Sequence, residues 1–357
     1  MAESAATLPD TGIAFLHDLR AAFDRAAADG VVERTYRIAG RPVRLRIAGD
    51  VLDARITPAL AHLAAPIPEG AALTVRMWDS GATGVRPPAP PWPADAYRER
   101  CEIRHDYDFR AAFNMMSGVL SVLEAGDTEA TVWVRDAAAL PLWETAAPLR
   151  ALLGWWAPAV GGQLAHGAAV GTKQGGVILA AIGGSGKSTT ALSCLDAGLL
   201  YAGDDYVMIE GGASPTIHSL YASAKLVPAN LEARLPHLAA LAQASGVEAP
   251  GDNPFDKVVM LLQDHFPEQM AAQLPLRAVV VPHIDPDGPS LAPLSARDVL
   301  RALAPTTVFQ LPGAGGDSLD LLSGIVETVP GYALGVGPDL DANVAAIRAL
   351  IDREAHA

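Results

Sequence analysis

The chain has 357 residues, a hydrophobic content of 50% and a formal net charge of −14 at pH 7. This length can hold two domains with buried cores. The acidic balance argues against nucleic acid or an anionic membrane as a general partner and is more easily reconciled with a basic or neutral one. The only cysteines, Cys101 and Cys194, are distant in sequence, so neither a disulfide framework nor a zinc site is predicted.

Hydropathy predicts the location of the protein. The first ten residues, MAESAATLPD, lack the basic flank and apolar core of a secretory signal. No uninterrupted run reaches the roughly 18 apolar residues of a membrane span. We therefore expect a cytoplasmic protein.

The first part of the chain is predicted to be rich in β-structure. Apolar residues at helical spacing predict a short amphipathic helix over Ile13–Ala28. Val43, Leu45 and Ile47 alternate with polar residues and predict a strand, which Pro42 would place at a sheet edge. Further strands are predicted at Leu73–Trp78, Glu102–Asp106, Gly118–Leu123 and Ala130–Arg135. We expect a smaller β-rich domain over residues 1–139 and a second domain over 140–357, which begins with a helix near Leu149–Trp156.

The stretch 175–209 carries the strongest chemical signal. Val177–Ala181 is an unbroken apolar run, which is typical of a strand buried on both faces of a parallel sheet. A glycine-rich turn follows, and then a helix over Ser188–Ala197. Backbone N–H groups at such a turn and helix start converge on an anion. The predicted nucleotide-binding residues are Gly183, Gly184, Ser185, Gly186, Lys187, Ser188 and Thr189.

The residue types of this loop suit a nucleoside triphosphate. Lys187 would reach the β- and γ-phosphates, and the Ser188 hydroxyl would ligate the Mg²⁺ that bridges them. The strict pattern G-x-x-x-x-G-K-[ST] requires glycine where this chain has Ala181. A glycine-rich turn that binds nothing is the structural alternative.

Two adjacent carboxylates, Asp204 and Asp205, follow the predicted helix and a turn at Gly198. Near a phosphate loop, one carboxylate can lie on the metal side while the other takes a proton from an attacking hydroxyl. Both are candidate metal ligands together with Ser188, and the sequence leaves open which plays which role. A solvated turn with two acidic residues is the alternative.

The loop and the acid pair together resemble the HPr kinase/phosphorylase-like serine kinases, in which an aspartate pair follows the phosphate loop after one helix. The resemblance covers residues 149–212 well and the later part more loosely. The family's His-Gly dipeptide is matched by His166-Gly167. This chain is more similar to the kinases that phosphorylate a serine of ribosomal precursor peptides, including lasso peptides, than to the housekeeping enzyme.

The resemblance implies an α/β fold, with a P-loop kinase domain of the HPr kinase/PEP carboxykinase-like type. It implies ATP- and Mg²⁺-dependent transfer of the γ-phosphoryl group to a serine hydroxyl of a peptide or protein. Asp204, Asp205 and His166 take the catalytic positions, and a protonated His166 would favour an ionised carboxylate. Similar kinases carry a lysine comparable to Lys225, which could face Lys187 across the transferring phosphoryl group or be an ordinary surface lysine. No downstream segment matches the one associated with phosphorolysis, so neither phosphorolysis nor HPr as acceptor is implied.

The later sequence predicts a scaffold and a lid. Pro, Gly, Asn and Asp in Glu248–Asp256 predict a loop that could cover the site, and Gly313–Gly316 predicts another loop. A buried strand is predicted at Ala278–Pro282. Helices are predicted at Leu294–Leu303, capped by Ser295, and at Asp341–Glu354, capped by Asp341.

Three functions are compatible with the sequence: a kinase for a polypeptide, a small-molecule kinase, and a nucleotide-gated binding module without transfer. A β-rich domain is unnecessary for a minimal small-molecule site and favours a polypeptide acceptor. Arg41, Arg44 and Arg46 on the predicted edge strand could bind an acidic peptide by strand addition, or form a solvated face. The acceptor, the preferred nucleotide and a possible homo-oligomer are left open.

Overall fold

The computed structural model describes residues 8–66, 70–98, 101–244, 257–308 and 316–356. They form two compact units, the first from the described residues of 8–58 and 64–159, the second from those of 59–63, 160–308 and 316–356. The boundary near residue 160 falls later than the expected one at 139/140. The predicted loop Glu248–Asp256 and residues 313–315 of the other predicted loop lie outside the described residues.

The first unit is a mixed seven-stranded sheet covered by a long helix. Its strands run in the order β1-β2-β3-β7-β6-β5-β4, with β3 parallel to both of its neighbours. The elements in chain order are α1 (Leu8–Ala26), β1 (Val32–Ile38), β2 (Arg41–Ala48), α2 (Asp50–Ile56), β3 (Leu73–Asp79), α3 (Ser80–Thr83), β4 (Glu102–Ile103), β5 (Phe109–Asn114), β6 (Val119–Glu124), β7 (Glu129–Val134), α4 (Leu142–Ala146) and α5 (Arg150–Trp156).

The core of the first unit follows from the predicted amphipathic helix. Phe15, Leu19 and Phe23 lie on one face of α1 and are buried against Trp78 of β3 and other aromatic residues. Strand β5 was not predicted, and the predicted strand over Glu102–Asp106 shortens to the two residues of β4.

Strand β2 is interior, so the expectation that Pro42 marks an edge strand is wrong. It pairs with β1 on one side and β3 on the other. Pro42 is the second residue of the strand, beside the hairpin turn at Ala39-Gly40, so its missing N–H falls at the end of the ladder. Its carbonyl still accepts from the Ala72 N–H at 2.8 Å. The arginines of β2 consequently do not lie on an unpaired edge.

The second unit is a nine-stranded sheet with a separate two-stranded ribbon. The main path is β11-β9-β10-β16-β13-β12-β8, β18 pairs with β16 and β17, and β14 pairs with β15. The elements in chain order are β8 (Gly162–His166), β9 (Ala168–Thr172), β10 (Gly175–Leu179), α6 (Lys187–Asp196), β11 (Leu200–Gly203), β12 (Tyr206–Glu210), β13 (Thr216–His218), β14 (Ser223–Leu226), α7 (Pro228–Arg234), α8 (Pro236–Ala244), β15 (Val258–Leu261), β16 (Gln273–Ile284), β17 (Ser290–Leu294), α9 (Ala296–Val308), α10 (Gly316–Thr328), β18 (Gly331–Val336) and α11 (Leu340–Ala355).

Alternation along β10 shows that helices cover both faces of this sheet. Val177 and Leu179 belong to a core shared with α6 and α11, whereas Ile178 and Ala180 belong to a core shared with α9 and α10. Because side chains on both faces of the strand are buried, the run Val177–Ala181 is apolar throughout. The strand has a parallel neighbour in β16 and an antiparallel neighbour in β9, so the expected all-parallel surroundings are corrected to mixed ones.

The helix starts of the second unit are largely as predicted. The Ser295 hydroxyl accepts from the Asp298 N–H at 3.2 Å at the start of α9. The cap of α11 is Asp339 rather than Asp341, because Asp339 Oδ1 accepts from the Ala342 N–H at 3.0 Å. Across the described ranges, no helix combines the length and apolarity needed to cross a membrane.

Candidate active site

The predicted phosphate loop joins the carboxyl end of β10 to the start of α6. Gly184 and Gly186 have φ values of 81° and 95°, a conformation that glycine adopts without strain. A Cβ on Gly186 would also lie 3.4 Å from Ile284 Cδ1. Ala181, which departs from the strict motif, does not adopt a positive φ, so its methyl group is tolerated. The loop therefore keeps the required backbone without the missing glycine.

Lys187 is held within the loop. Its Nζ donates to the carbonyls of Ala181 at 2.6 Å and Ile182 at 2.9 Å. Burial lowers the pKa of Lys187, while the charges of Asp204 and Asp205 act in the opposite direction. The ammonium group is thus fixed beside the glycine turn, where backbone N–H groups and a positive charge can act on the same anion.

The acid pair occupies the connection between β11 and β12. Asp204 is only 3% exposed, and its Oδ1 accepts from the Ser188 hydroxyl at 3.1 Å. Asp205 has a φ of 67°, in the left-handed region, and its Oδ2 lies 2.7 Å from Lys225 Nζ. The two adjacent carboxylates consequently have different side-chain partners, Asp204 a serine of the phosphate loop and Asp205 a lysine of β14.

The two carboxylates also differ in acidity. Burial, reinforced by the neighbouring charge of Asp205, raises the pKa of Asp204 to about 6. Burial acts on Asp205 in the same direction, but the charge and hydrogen bond of Lys225 outweigh it and the pKa is lowered. A pair whose pKa values are separated by their surroundings is typical of functional sites.

His166 lies beside the pair but is not a cation. Its strand, β8, pairs with β12 at Tyr206, and the N–H of the following Gly167 donates to the Asp205 carbonyl at 3.0 Å. Burial lowers the pKa of His166 to about 4, although Asp205 acts to raise it. A protonated His166 would favour an ionised Asp205, as expected, but the ring is neutral above that pH.

These residues border one open cleft of about 500 Å³ in the second unit. Of the residues predicted for the site, it is lined by His166, Gly183, Gly184, Gly186, Lys187, Ser188, Thr189, Asp205 and Lys225. Asp204 does not line the cleft but contacts Ser188, which does. The Ser185 hydroxyl is buried and has no hydrogen-bond partner among the described residues. The structure therefore brings the loop, the acid pair, His166 and Lys225 together.

The other residues that line the cleft were not predicted from the sequence. Ile284 and Val336 are the last residues of β16 and β18, so the cleft lies at the carboxyl ends of the parallel strands β10, β16 and β18, the usual ligand position in such sheets. Asn230, Arg234 and Lys257 complete the polar side. None of these residues belongs to a motif, and only the strand register could have indicated Ile284 and Val336.

The oxygen atoms near the loop fit a magnesium ion. Asp204 Oδ2 is buried and has no hydrogen-bond partner in the described part of the chain, and the Ser188 hydroxyl lies on the other oxygen. Among the described residues there is no cluster of three or more His, Cys, Asp or Glu side chains suited to a metal. Mg²⁺ ordinarily takes only one or two carboxylates and completes its shell with water and phosphate oxygens. Asp205, predicted as a third ligand, is instead paired with Lys225.

Comparison with solved structures finds similar chains. No protein-family model and no curated protein matches the chain. The solved structure of the Hpr(Ser) kinase/phosphatase from Coxiella burnetii is similar at 11% sequence identity, with a TM-score of 0.30. The match covers 54% of this chain and 89% of that one. A similarity at this level leaves the function to be argued from the site itself.

Proposed function

We propose that the second unit is an ATP- and Mg²⁺-dependent kinase that transfers the γ-phosphoryl group to a serine hydroxyl of a peptide or protein. The observation that carries the proposal is the contact between the phosphate loop and the acid pair. The Ser188 hydroxyl lies 3.1 Å from a buried carboxylate whose other oxygen is unpaired among the described residues, and the adjacent Asp205 lines the cleft. A loop that only bound phosphate would not need two carboxylates in different electrostatic surroundings.

The chain's own residues account for nucleotide binding. Backbone N–H groups of the glycine turn and the first turn of α6 would donate to phosphate oxygens, and Lys187 would exchange the carbonyls of Ala181 and Ile182 for the β- and γ-phosphates. Ser188 and Asp204 would hold Mg²⁺, which when bound neutralises charge on the phosphates. Asp204 is thus assigned to the metal side and Asp205 to the acceptor side.

Asp205 and Lys225 supply the groups for transfer. The acceptor oxygen forms a bond to the γ-phosphorus while the bond to the β–γ bridging oxygen breaks, so ADP leaves and the hydroxyl proton passes to the Asp205 carboxylate. A strong base is unnecessary because the transition state is loose and the proton moves late. Lys225, 2.7 Å from Asp205, would hold that carboxylate in place and offset charge on the transferring group.

The acceptor is proposed to be a polypeptide, such as a ribosomal precursor peptide of the lasso type. The support is the motif resemblance of the loop, the acid pair and His166-Gly167 together with the presence of a separate β-rich unit. We propose that the first unit contributes to holding the acceptor. Since β2 is interior, its arginines would not do so by strand addition.

A degenerate peptide library tests transfer to serine whatever the natural acceptor is. The full-length protein is incubated with Mg²⁺ and ATP carrying a labelled γ-phosphate, together with degenerate peptides that have a central serine or, as a control, a central alanine. The proposal predicts phosphoserine in the serine library only, formed at least about 100-fold more slowly by Asp205→Asn. MgATP binding without transfer to any serine peptide would contradict the kinase assignment and favour a nucleotide-gated binding module.

A further inference from the structure

Two cations of the cleft, Arg234 and Lys257, have no part in the transfer described above. Arg234 is the last residue of α7 and lies one helical turn after Asn230, so both side chains share a helix face. Both residues line the cleft, whereas Leu231 and Leu235 are buried and hold the helix in the core. The packing of α7 therefore fixes which of its faces meets the cleft.

Lys257 lies on the same side of the cleft as the acid pair. In the β14–β15 ribbon, Lys225 pairs directly with Val259. Lys257 precedes Val259 by two residues, so strand alternation places it on the same face as Lys225, at the diagonal position. Lys225 contacts Asp205, and the charge of Lys257 contributes to lowering the pKa of that carboxylate. Lys257 is consequently near the acceptor side of the proposed reaction.

The charges around the cleft are unbalanced. Among the described residues, Lys187, Lys225, Arg234 and Lys257 line it against a single lining carboxylate, Asp205. Lys225 has its partner in Asp205, but neither Arg234 nor Lys257 makes an ion pair with any residue that the structure describes. A protein with a net charge of −14 thus presents a locally positive cleft, which attracts anions to that point.

Resting on the proposed phosphoryl transfer, we propose that Arg234 and Lys257 bind carboxylates that flank the acceptor serine, so the substrate is an acidic serine-containing segment. The nucleotide phosphates already have the loop N–H groups and Lys187. Lys257 lies near Lys225 and Asp205, where the acceptor hydroxyl must arrive, and Arg234 lines the same cleft. The local charge therefore selects an acidic acceptor, against the basic or neutral one that the net charge favours.

Direct binding separates this proposal from the kinase assignment. Fluorescent peptides with a central serine flanked by Asp and Glu, or by Lys, are titrated with the full-length protein saturated with Mg²⁺ and a non-hydrolysable ATP analogue. The saturated loop prevents an acidic peptide from binding in place of phosphate. We expect the acidic peptide to bind at least about tenfold more tightly than the lysine peptide, with an affinity that falls as salt is added.

A matched pair of double variants locates the effect. Arg234→Gln with Lys257→Gln should weaken acidic-peptide binding about five- to tenfold, in line with two exposed charge contacts. The control, Arg297→Gln with Lys173→Gln, removes one exposed arginine and one exposed lysine of the same unit that do not line the cleft and should change nothing. MgATP affinity, measured by calorimetry, should be equal in the two double variants.

Three results would overturn the acidic-acceptor proposal: equal binding of both peptides, equal weakening by both double variants, or a loss of MgATP affinity in the cleft variant as large as its loss of peptide affinity. Failure of the wild-type protein to bind MgATP would instead overturn the proposed function. In that case the peptide comparison, repeated without nucleotide, still reports on the cationic pair.

Discussion

Two buried aspartates, Asp79 in the first unit and Asp204 in the second, are alike in isolation and differ in their neighbours. Each is nearly inaccessible, and each has an Oδ2 atom without a hydrogen-bond partner among the described residues. Asp79 Oδ1 accepts from the Ala82 N–H at 2.8 Å and caps the short α3. A Cβ on Gly49 or Gly81 would lie within 3 Å of its carboxylate oxygens, so the surrounding backbone is closely packed.

Asp204 instead shares its surroundings with groups that can act on phosphate. Ser188 of the phosphate loop donates to it, and Asp205, the next residue, is paired with Lys225. An unpaired buried carboxylate oxygen therefore does not by itself define a site. What makes the surroundings of Asp204 a candidate active site is the presence of the glycine turn, the lysines and the second carboxylate.

The largest effect is expected from Asp205→Asn, which should lower the rate of transfer to serine by about 10²- to 10⁴-fold, the range for loss of a proton-transfer group. MgATP affinity should stay within a fewfold of wild type, because the proposed metal-side carboxylate is Asp204. Steady-state kinetics and calorimetry on one preparation measure both. A variant with normal turnover would exclude Asp205 as the proton acceptor.

Asp204→Asn should stabilise the protein while weakening Mg²⁺-dependent nucleotide binding. The pKa of Asp204, about 6 in the fold against an ordinary 3.8, means that the folded state holds the proton more tightly. The protonated Asp204 carboxyl group therefore contributes fully to stability below pH 4, and this contribution is lost as the pH rises through 6. At pH 8 the variant should gain about 3 kcal/mol in the free energy of unfolding.

Urea unfolding at several pH values tests this sign. The gain for Asp204→Asn should shrink towards zero as pH falls from 8 to 4. A variant that is less stable than the wild-type protein at pH 8 would contradict this prediction, because it would show that the ionised Asp204 carboxylate stabilises the fold.

Asp79→Ala should cost about 1 kcal/mol of stability, the usual contribution of a helix cap. MgATP affinity should not change, because the residue lies in the first unit and lines no part of the cleft. Urea unfolding and calorimetry give the two quantities. A large loss of nucleotide affinity would break the distinction between the two aspartates.

The smallest effect is expected for His166→Ala on the pH dependence of transfer. Because burial lowers the pKa of His166 to about 4, the ring is neutral throughout the range from about pH 5.5 to 9. The wild-type protein and the variant should therefore show the same dependence of the transfer rate on pH over this range. A displaced pH profile in the variant would show that His166 titrates there.

Local sequence patterns predicted much of the site, because the turn chemistry of Gly183–Gly186 and the helix that follows depend on neighbouring residues. The roles of Asp204 and Asp205 could not be predicted, since they depend on contacts with Ser188 and Lys225 that folding brings together. Likewise, no local pattern shows that Pro42 lies in an interior strand, because β3 reaches it from later in the chain.

The cationic side of the cleft escaped prediction for the same reason. Arg234 and Lys257 are ordinary charged residues in the sequence, and only the packing of α7 and the register of the β14–β15 ribbon bring them to the cleft. The net charge, which is an average over the whole surface, even indicated the opposite preference for a partner.

Calorimetric titration of MgATP into the wild-type protein, Lys187→Ala and the control Lys173→Ala tests the central claim, that the loop after β10 holds a nucleoside triphosphate, most directly. Lys173 is exposed in the turn between β9 and β10 and does not line the cleft. We predict about 100-fold weaker binding for Lys187→Ala, which corresponds to about 2.7 kcal/mol for charge-assisted hydrogen bonds to phosphate, and no change for the control. Equal affinity of Lys187→Ala and the wild-type protein for MgATP would contradict the account.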